Sequence, residues 1–133
     1  MSYSGIRAGI AANIGSGWNH YDGYTPDQWV TPAVIVELGP IQYREAMQRG
    51  HVRTRATVTV VVADSEHRSA QSQLDAAVAP SGTGSVVALI ESDSTLGGEV
   101  SDSYVSEMTG YSRIQNESGA TFLTAPLLVE IYL

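Results

Sequence analysis

The chain has 133 residues and a formal net charge of −7, because 14 acidic residues outnumber seven basic ones. This length is typical of one domain, and the acidic balance argues against binding of a nucleic-acid backbone, which requires a basic surface. The absence of cysteine excludes disulfides and thiol chemistry, and no apolar run approaches the roughly 20 residues that span a bilayer.

The first 50 residues predict one helix and two strands. Ile6, Ile10 and Ile14 recur every four residues, which indicates one face of a short helix rather than a secretion signal. We expect a short strand over 18–21 and, from the β-branched run AVIVEL, another over 33–38. The segment 41–50 then predicts a strand extension with a mobile connection.

The clearest pattern lies in 51–63, HVRTRATVTVVVA. Small and branched apolar residues alternate with polar ones, so that Val58 and its even-numbered neighbours share one face while Arg53 and Arg55 share the other. Alternation over this length predicts a long, half-buried strand.

The second half predicts two helices and then two strands. The first helix is capped by Asp64 or Ser65 and ends before Pro80, and its buried stripe is expected to hold Ala70, Leu74, Ala77 and Val78. We expect a short helix over 83–91, a turn at 93–98, and strands over 99–113 and 120–132 joined by a hairpin turn. The last strand is apolar on both faces, which is typical of a central strand or of one covered by an interface.

This order of elements predicts an α+β fold over a single domain, 1–133. Two to three helices would pack on one face of a mostly antiparallel sheet.

The stretch PSGTGSVVALIE at 80–91 has a glycine loop before a helix-like run, as phosphate-binding loops do. The chain has no lysine, the spacing of Gly82 and Gly84 does not match a phosphate loop, and a helix rather than a strand precedes them. We therefore predict a helix–turn–helix connection with Thr83 or Ser85 as the cap, and no ligand there.

Other polar residues lack a catalytic arrangement. Acid–base chemistry could use His20 with Asp22 and Asp27, but these lie in a loop-like segment without fixed spacing, and Ser65–His67 fits a helix cap. The three histidines do not have metal-ligand spacing. We expect no catalytic residue, metal or cofactor.

Two surface clusters have open interpretations. Four of the seven basic residues lie within 44–55, namely Arg44, Arg49, Arg53 and Arg55. They are either a solvated sheet face or a contact surface for an acidic partner or a neighbouring subunit. The aromatic residues Trp18, Tyr21, Tyr24 and Trp29 either form a stacking platform for carbohydrate or bases, or they pack the loop onto the sheet or fill an interface.

Across nearly its whole length the chain resembles the tail-terminator (tail-completion) proteins of long-tailed phages, particularly those that infect actinobacteria. The resemblance rests on the order of segments: GIRAGIA, YTPDQWVTPAVIVELG, the strand at 52–62, LDAAVAPSG, DSTLGG and FLTAPLLVEIYL.

The resemblance implies a structural virion protein without catalytic residues. Members of this family form a ring, typically a hexamer, that caps the finished tail tube and joins it to the head connector. It implies a small α+β fold, assembly in the host cytoplasm, location in the tail or neck, and passage of DNA through the ring without specific binding. An acidic wall would discourage DNA from sticking.

Two alternatives remain. One is another neck component, such as a head-closure or tail-tube subunit, although the predicted helices fit a head-closure β-barrel poorly. The other is a small-ligand-binding or enzymatic domain that uses the segment 18–29.

Overall fold

A computed structural model of the chain describes residues 3–15, 17–22, 32–42, 53–63, 67–82, 84–115 and 119–133. The elements in chain order are α1 (Tyr3–Ile14), β1 (Asn19–Asp22), β2 (Ala33–Gln42), β3 (Arg53–Ala63), α2 (His67–Val78), α3 (Val86–Ile90), β4 (Asp102–Met108), β5 (Ser112–Gln115) and β6 (Thr121–Tyr132). The expected α+β class is confirmed.

The strands form one sheet in the order β1-β2-β3-β6-β4, and β5 pairs with β6 beyond the end of β4. All neighbouring pairs are antiparallel except β1 and β2, which run parallel. The strand β6 therefore lies between β3 on one side and β4 and β5 on the other. This central position agrees with the prediction from its two apolar faces.

All three described helices pack on the same face of the sheet. The isoleucines of α1 are buried there, together with Ala70, Leu74 and Ala77 of α2 and both ends of α3. They meet the even-numbered apolar residues of β3 and the odd-numbered residues of β6 in one core. The helical stripes and the strand alternation predicted from the sequence thus meet in a single layer of apolar side chains.

Several predicted boundaries change. The strand expected over 99–113 is two strands, because the chain leaves the sheet at Thr109–Tyr111, where Gly110 has a φ of 127° that residues other than glycine rarely adopt. The strand extension is confirmed as far as Gln42, with a register irregularity between Leu38 and Ile41. The connection predicted beyond it, 43–50, and the helix cap at Asp64 or Ser65 lie outside the described residues.

Within the described ranges, no helix has the length and apolar character needed to cross a membrane.

Candidate interaction surface

The sheet face opposite the three described helices, called the open face below, can be read from the strand register. Directly opposite residues of neighbouring antiparallel strands project to the same side. Two adjacent rows across β3, β6 and β4 are Arg53–Tyr132–Asp102 and Arg55–Glu130–Tyr104. We call these six residues the charged end of the open face.

A buried carboxylate lies at the centre of the charged end. The Glu130 side chain is 8% exposed, and its Oε1 lies 2.7 Å from Arg55 Nη2 and accepts a hydrogen bond of 2.9 Å from Arg55 Nε. Arg53 Nε lies 3.8 Å from Glu130 Oε2. Burial of an ionised carboxylate is costly unless a cation compensates it, so the two arginines stabilise Glu130 in place.

Two tyrosines continue this cluster. The rings of Tyr104 and Tyr132 stack with their centroids 6.2 Å apart, and the Arg53 guanidinium lies 5.9 Å from the centre of the Tyr132 ring. The hydrogen bond with Tyr132 raises the pKa of Tyr104 above its usual value. Tyr104 is 41% exposed and Arg55 is 46% exposed at its side chain, so this tyrosine–arginine surface is accessible to a partner.

The opposite end of the open face is apolar. Ala33, Ile35, Val61 and Phe122 form a second buried cluster there, and Tyr21 and Ile114 pack against it. These four side chains are at most 6% exposed, so they offer little free surface. The charged end is therefore the better candidate for contact with another molecule.

The structure changes the interpretation of the arginine cluster. Arg53 and Arg55 project from the same face, as predicted, but Glu130 of the same chain already binds them. By register, Glu37, Asp102 and Glu107 also lie on this face, so the described surface mixes both charges rather than forming a basic patch. Arg44 and Arg49 lie outside the described residues.

The sequence prediction did not include Glu130, Tyr104 or Tyr132. One signal was present: a glutamate within the apolar run LLVEIYL of a predicted central strand, where an acidic residue is expected only with a partner. The partner itself lies 75 residues away along the chain.

The catalytic hypothesis around His20 gains no support. His20 Nε2 donates a hydrogen bond of 2.7 Å to the Gly15 carbonyl, and its Nδ1 is buried without a hydrogen-bond partner among the described residues. The Asp22 side chain and Asp27 lie outside the described set. In the described ranges, no group of three or more His, Cys, Asp or Glu side chains is placed to hold a metal ion.

The aromatic residues that the structure describes do not form one platform. Trp18 packs against the core under the helices, whereas Tyr21 packs against the apolar cluster of the open face. This separation favours the packing interpretation for these two residues. Tyr24 and Trp29 lie outside the described residues.

The glycine-rich stretch is a connection between helices. Ser85 caps α3: its hydroxyl accepts a hydrogen bond of 3.1 Å from the Ala88 N–H and donates one to the Ala79 carbonyl. Gly82 and Gly84 have φ angles of 108° and 87°, which glycine adopts without strain. The Ser85 hydroxyl thus caps α3 and the two glycines form the turn that precedes it, as predicted. The cap predicted at Ser65–His67 involves 64–66 and the His67 side chain, which lie outside the described set.

The turn at 93–98 is joined to α1 by side-chain hydrogen bonds. The Asp93 carboxylate accepts hydrogen bonds from the Thr95 hydroxyl and N–H and from the Gly97 N–H, and these bonds lower the pKa of Asp93. The Asn13 side-chain amide donates bonds of 3.0 and 2.9 Å to the carbonyls of Ile90 and Asp93. Helix and turn are thereby joined at one point.

Comparison with protein-family models finds no match, and a search of curated proteins returns no significant match either.

Proposed function

We propose that this protein is a structural, non-enzymatic component of a phage tail: a terminator subunit that forms a ring of six copies on the completed tail tube. The proposal combines the whole-chain resemblance with a fold of the type that the resemblance implies. The ring would join the tube to the head connector and let DNA pass without binding it specifically.

One observation carries the proposal furthest: the sheet is covered by the described helices on one face only. The exposed part of the other face carries arginine and tyrosine, two residue types that are enriched in the energetic centres of protein interfaces. An assembly subunit needs such an accessible surface at a rigid position, and Glu130 fixes the arginines there.

A closed ring of identical subunits requires that one surface of each copy meets a different surface of the next. We propose that Arg53 and Arg55 belong to such a surface, with Arg44 and Arg49 from the same segment. Acidic residues elsewhere on the chain would provide the complement. The partners would be further copies of the chain, the tail-tube protein and the head–tail connector, in the tail or neck of the virion after assembly in the host cytoplasm.

The proposal is tested by mixing the purified chain with tail tubes and imaging the tube ends. We expect rings with a central hole at one end of each tube. A chain that remains monomeric and never associates with tube ends contradicts the proposal. Rings that stack into long tubes without added tube protein would instead identify a tail-tube subunit.

Arg53→Glu is the interface variant of choice. It is expected to weaken ring formation more than folding, because Arg53 contacts Glu130 only at 3.8 Å. Arg55→Glu would place a second carboxylate beside buried Glu130 and disturb the fold itself. Arg7→Glu makes the same charge change on α1, on the helical side of the sheet, and serves as the control. If Arg53→Glu and Arg7→Glu reduce ring formation equally, Arg53 has no special part in the contact.

A further inference from the structure

We infer that two free copies of this chain dock through the charged ends of their open faces, around a two-fold axis that runs along β6. The inference goes beyond the ring, because it concerns the chain in the absence of a tail tube. It rests on the placement of opposite charges on the two strands that flank β6.

The charged residues of β3 and β4 occupy the same two rows of the sheet. Arg53 and Arg55 lie on β3, and Asp102 and Tyr104 lie in the same two rows on β4. Each of these strands is one strand from β6, which corresponds to about 4.8 Å. The two arginines and the Asp102–Tyr104 pair thus lie on either side of the same central strand.

A two-fold axis along β6 brings these rows of two copies together. A two-fold axis in the plane between two open faces and parallel to β6 places β3 of one copy over β4 of the other. Arg53 then faces the partner's Asp102, and Arg55 faces the partner's exposed Tyr104. Each contact forms twice, so the surface is self-complementary and the assembly closes as a dimer.

The pairing of Arg53 with the partner's Asp102, and of Arg55 with the partner's Tyr104, is preserved at the angle at which aligned sheets usually pack. Aligned sheets cross at about 30°, which displaces residues one strand from the axis by roughly 2–3 Å. Residues in successive rows on one face are about 7 Å apart along a strand. The displacement is therefore less than half a row, and each arginine still meets its intended partner.

At the centre of the contact, each Glu130 is paired with an arginine of its own chain through Oε1, although its Oε2 accepts no hydrogen bond among the described residues. Glu130 faces its own symmetry copy across the axis, but in each chain Arg55 already binds it. An arginine opposite Asp102 adds an ion pair, and an arginine opposite the Tyr104 ring adds a cation–π contact. Because Arg53 is also our candidate for ring contacts, the dimer and a ring built on this residue would exclude one another.

The test uses two single charge reversals and their mixture. Asp102→Lys places two cations opposite each other in a homodimer, and Arg53→Glu places two carboxylates opposite each other. We expect each variant alone to raise the dimer dissociation constant about tenfold or more in sedimentation equilibrium. In the mixture, both reciprocal pairs are attractive again, so dimers of D102K with R53E should form at near wild-type affinity.

Matched controls carry the same charge changes on the helical side. Gln71 and Gln73 are exposed on α2, so Q71K/Q73K and Q71E/Q73E should dimerise as the wild type does. A wild-type chain that stays monomeric up to about 1 mM overturns the inference. A dimer whose dissociation constant D102K leaves unchanged also overturns it. The same holds if the mixture of D102K and R53E dimerises no more tightly than either variant alone. Because Asp102 is exposed, D102K is expected to fold normally. Its dimer dissociation constant therefore tests the inference even if R53E folds poorly. Capture of a different acidic protein in place of a second copy also overturns it.

Discussion

Arg55 and Glu130 join the two longest strands of the sheet: Arg55 Nη2 lies 2.7 Å from Glu130 Oε1 at directly paired positions of β3 and β6. The carboxylate is buried and the arginine is half-exposed. The pair therefore has two roles. It compensates a charge inside the sheet, and it fixes the direction of a guanidinium on an accessible surface.

Removing the arginine should cost more than removing both partners. Arg55→Met leaves Glu130 buried with only the distant Arg53, and we expect a loss of about 2 kcal/mol in the free energy of unfolding. The double variant Arg55→Met/Glu130→Met should recover most of that loss. Urea unfolding of the four chains of this double-mutant cycle measures the coupling, and additive effects would contradict the pairing.

The approach of α1 to the turn at 93–98 predicts different effects of two glycine substitutions. A Cβ on Gly9 would lie 2.6 Å from the Leu96 carbonyl oxygen, whereas a Cβ on Gly5 would meet only the movable Glu99 carboxylate. We expect Gly9→Ala to destabilise the fold by about 1–3 kcal/mol, because backbone must shift. Gly5→Ala, the control on the same helix, should stay within about 1 kcal/mol of wild type. Equal effects in thermal unfolding would show that the helix does not approach the turn so closely.

Asp93 predicts a pH-dependent contribution to stability. Hydrogen bonds from Thr95 and Gly97 lower its pKa below 3.8 in the folded state. Its contribution is therefore fully present above the unfolded pKa and is lost as the pH falls through the folded pKa. Asp93→Asn removes one acceptor oxygen and should destabilise the protein at neutral pH.

The difference between D93N and wild type should shrink in acid, when urea unfolding is compared at neutral pH and at about pH 3. Glu37→Gln, at an exposed position outside the charged end, is the control for the loss of one negative charge. If D93N is as stable as E37Q at neutral pH, the turn does not depend on the Asp93 carboxylate.

Tyr111 should ionise later than an ordinary tyrosine. Burial and the hydrogen bond that its hydroxyl donates to Asp75 raise its pKa from 10 to about 12. Because the folded pKa is the higher one, stability falls as the pH rises through this interval. The absorbance of the phenolate should show a late step that Tyr111→Phe removes and Asp75→Asn moves to lower pH. If Tyr111→Phe instead removes a step near the ordinary tyrosine pKa of 10, Tyr111 does not make this contact with Asp75.

The elements that sequence predicted well are those whose pattern is local. Alternation in β3 and the four-residue spacing of isoleucines in α1 reflect burial of one face, which neighbouring residues in the chain determine by themselves. The break at Gly110 was missed, because a glycine within a strand pattern also fits a bulge in a continuous strand. The parallel pairing of β1 was missed too, since it depends on tertiary contacts.

The charged end could be predicted only in part. Alternation placed Arg53 and Arg55 on one face, but it does not specify which strand lies beside β3 or in what register. Glu130 becomes their partner only through the pairing of β3 with β6. The sequence therefore predicts the two arginines on one face, whereas their pairing with Glu130 is known only from the three-dimensional structure.

The most direct test of the proposed function is electron microscopy of tail tubes incubated with the purified chain. We expect a ring with six-fold symmetry and a central hole at one end of each tube, and fewer such rings with Arg53→Glu. Tube ends that remain bare in the presence of excess protein, whether that protein is monomeric or dimeric, would contradict it.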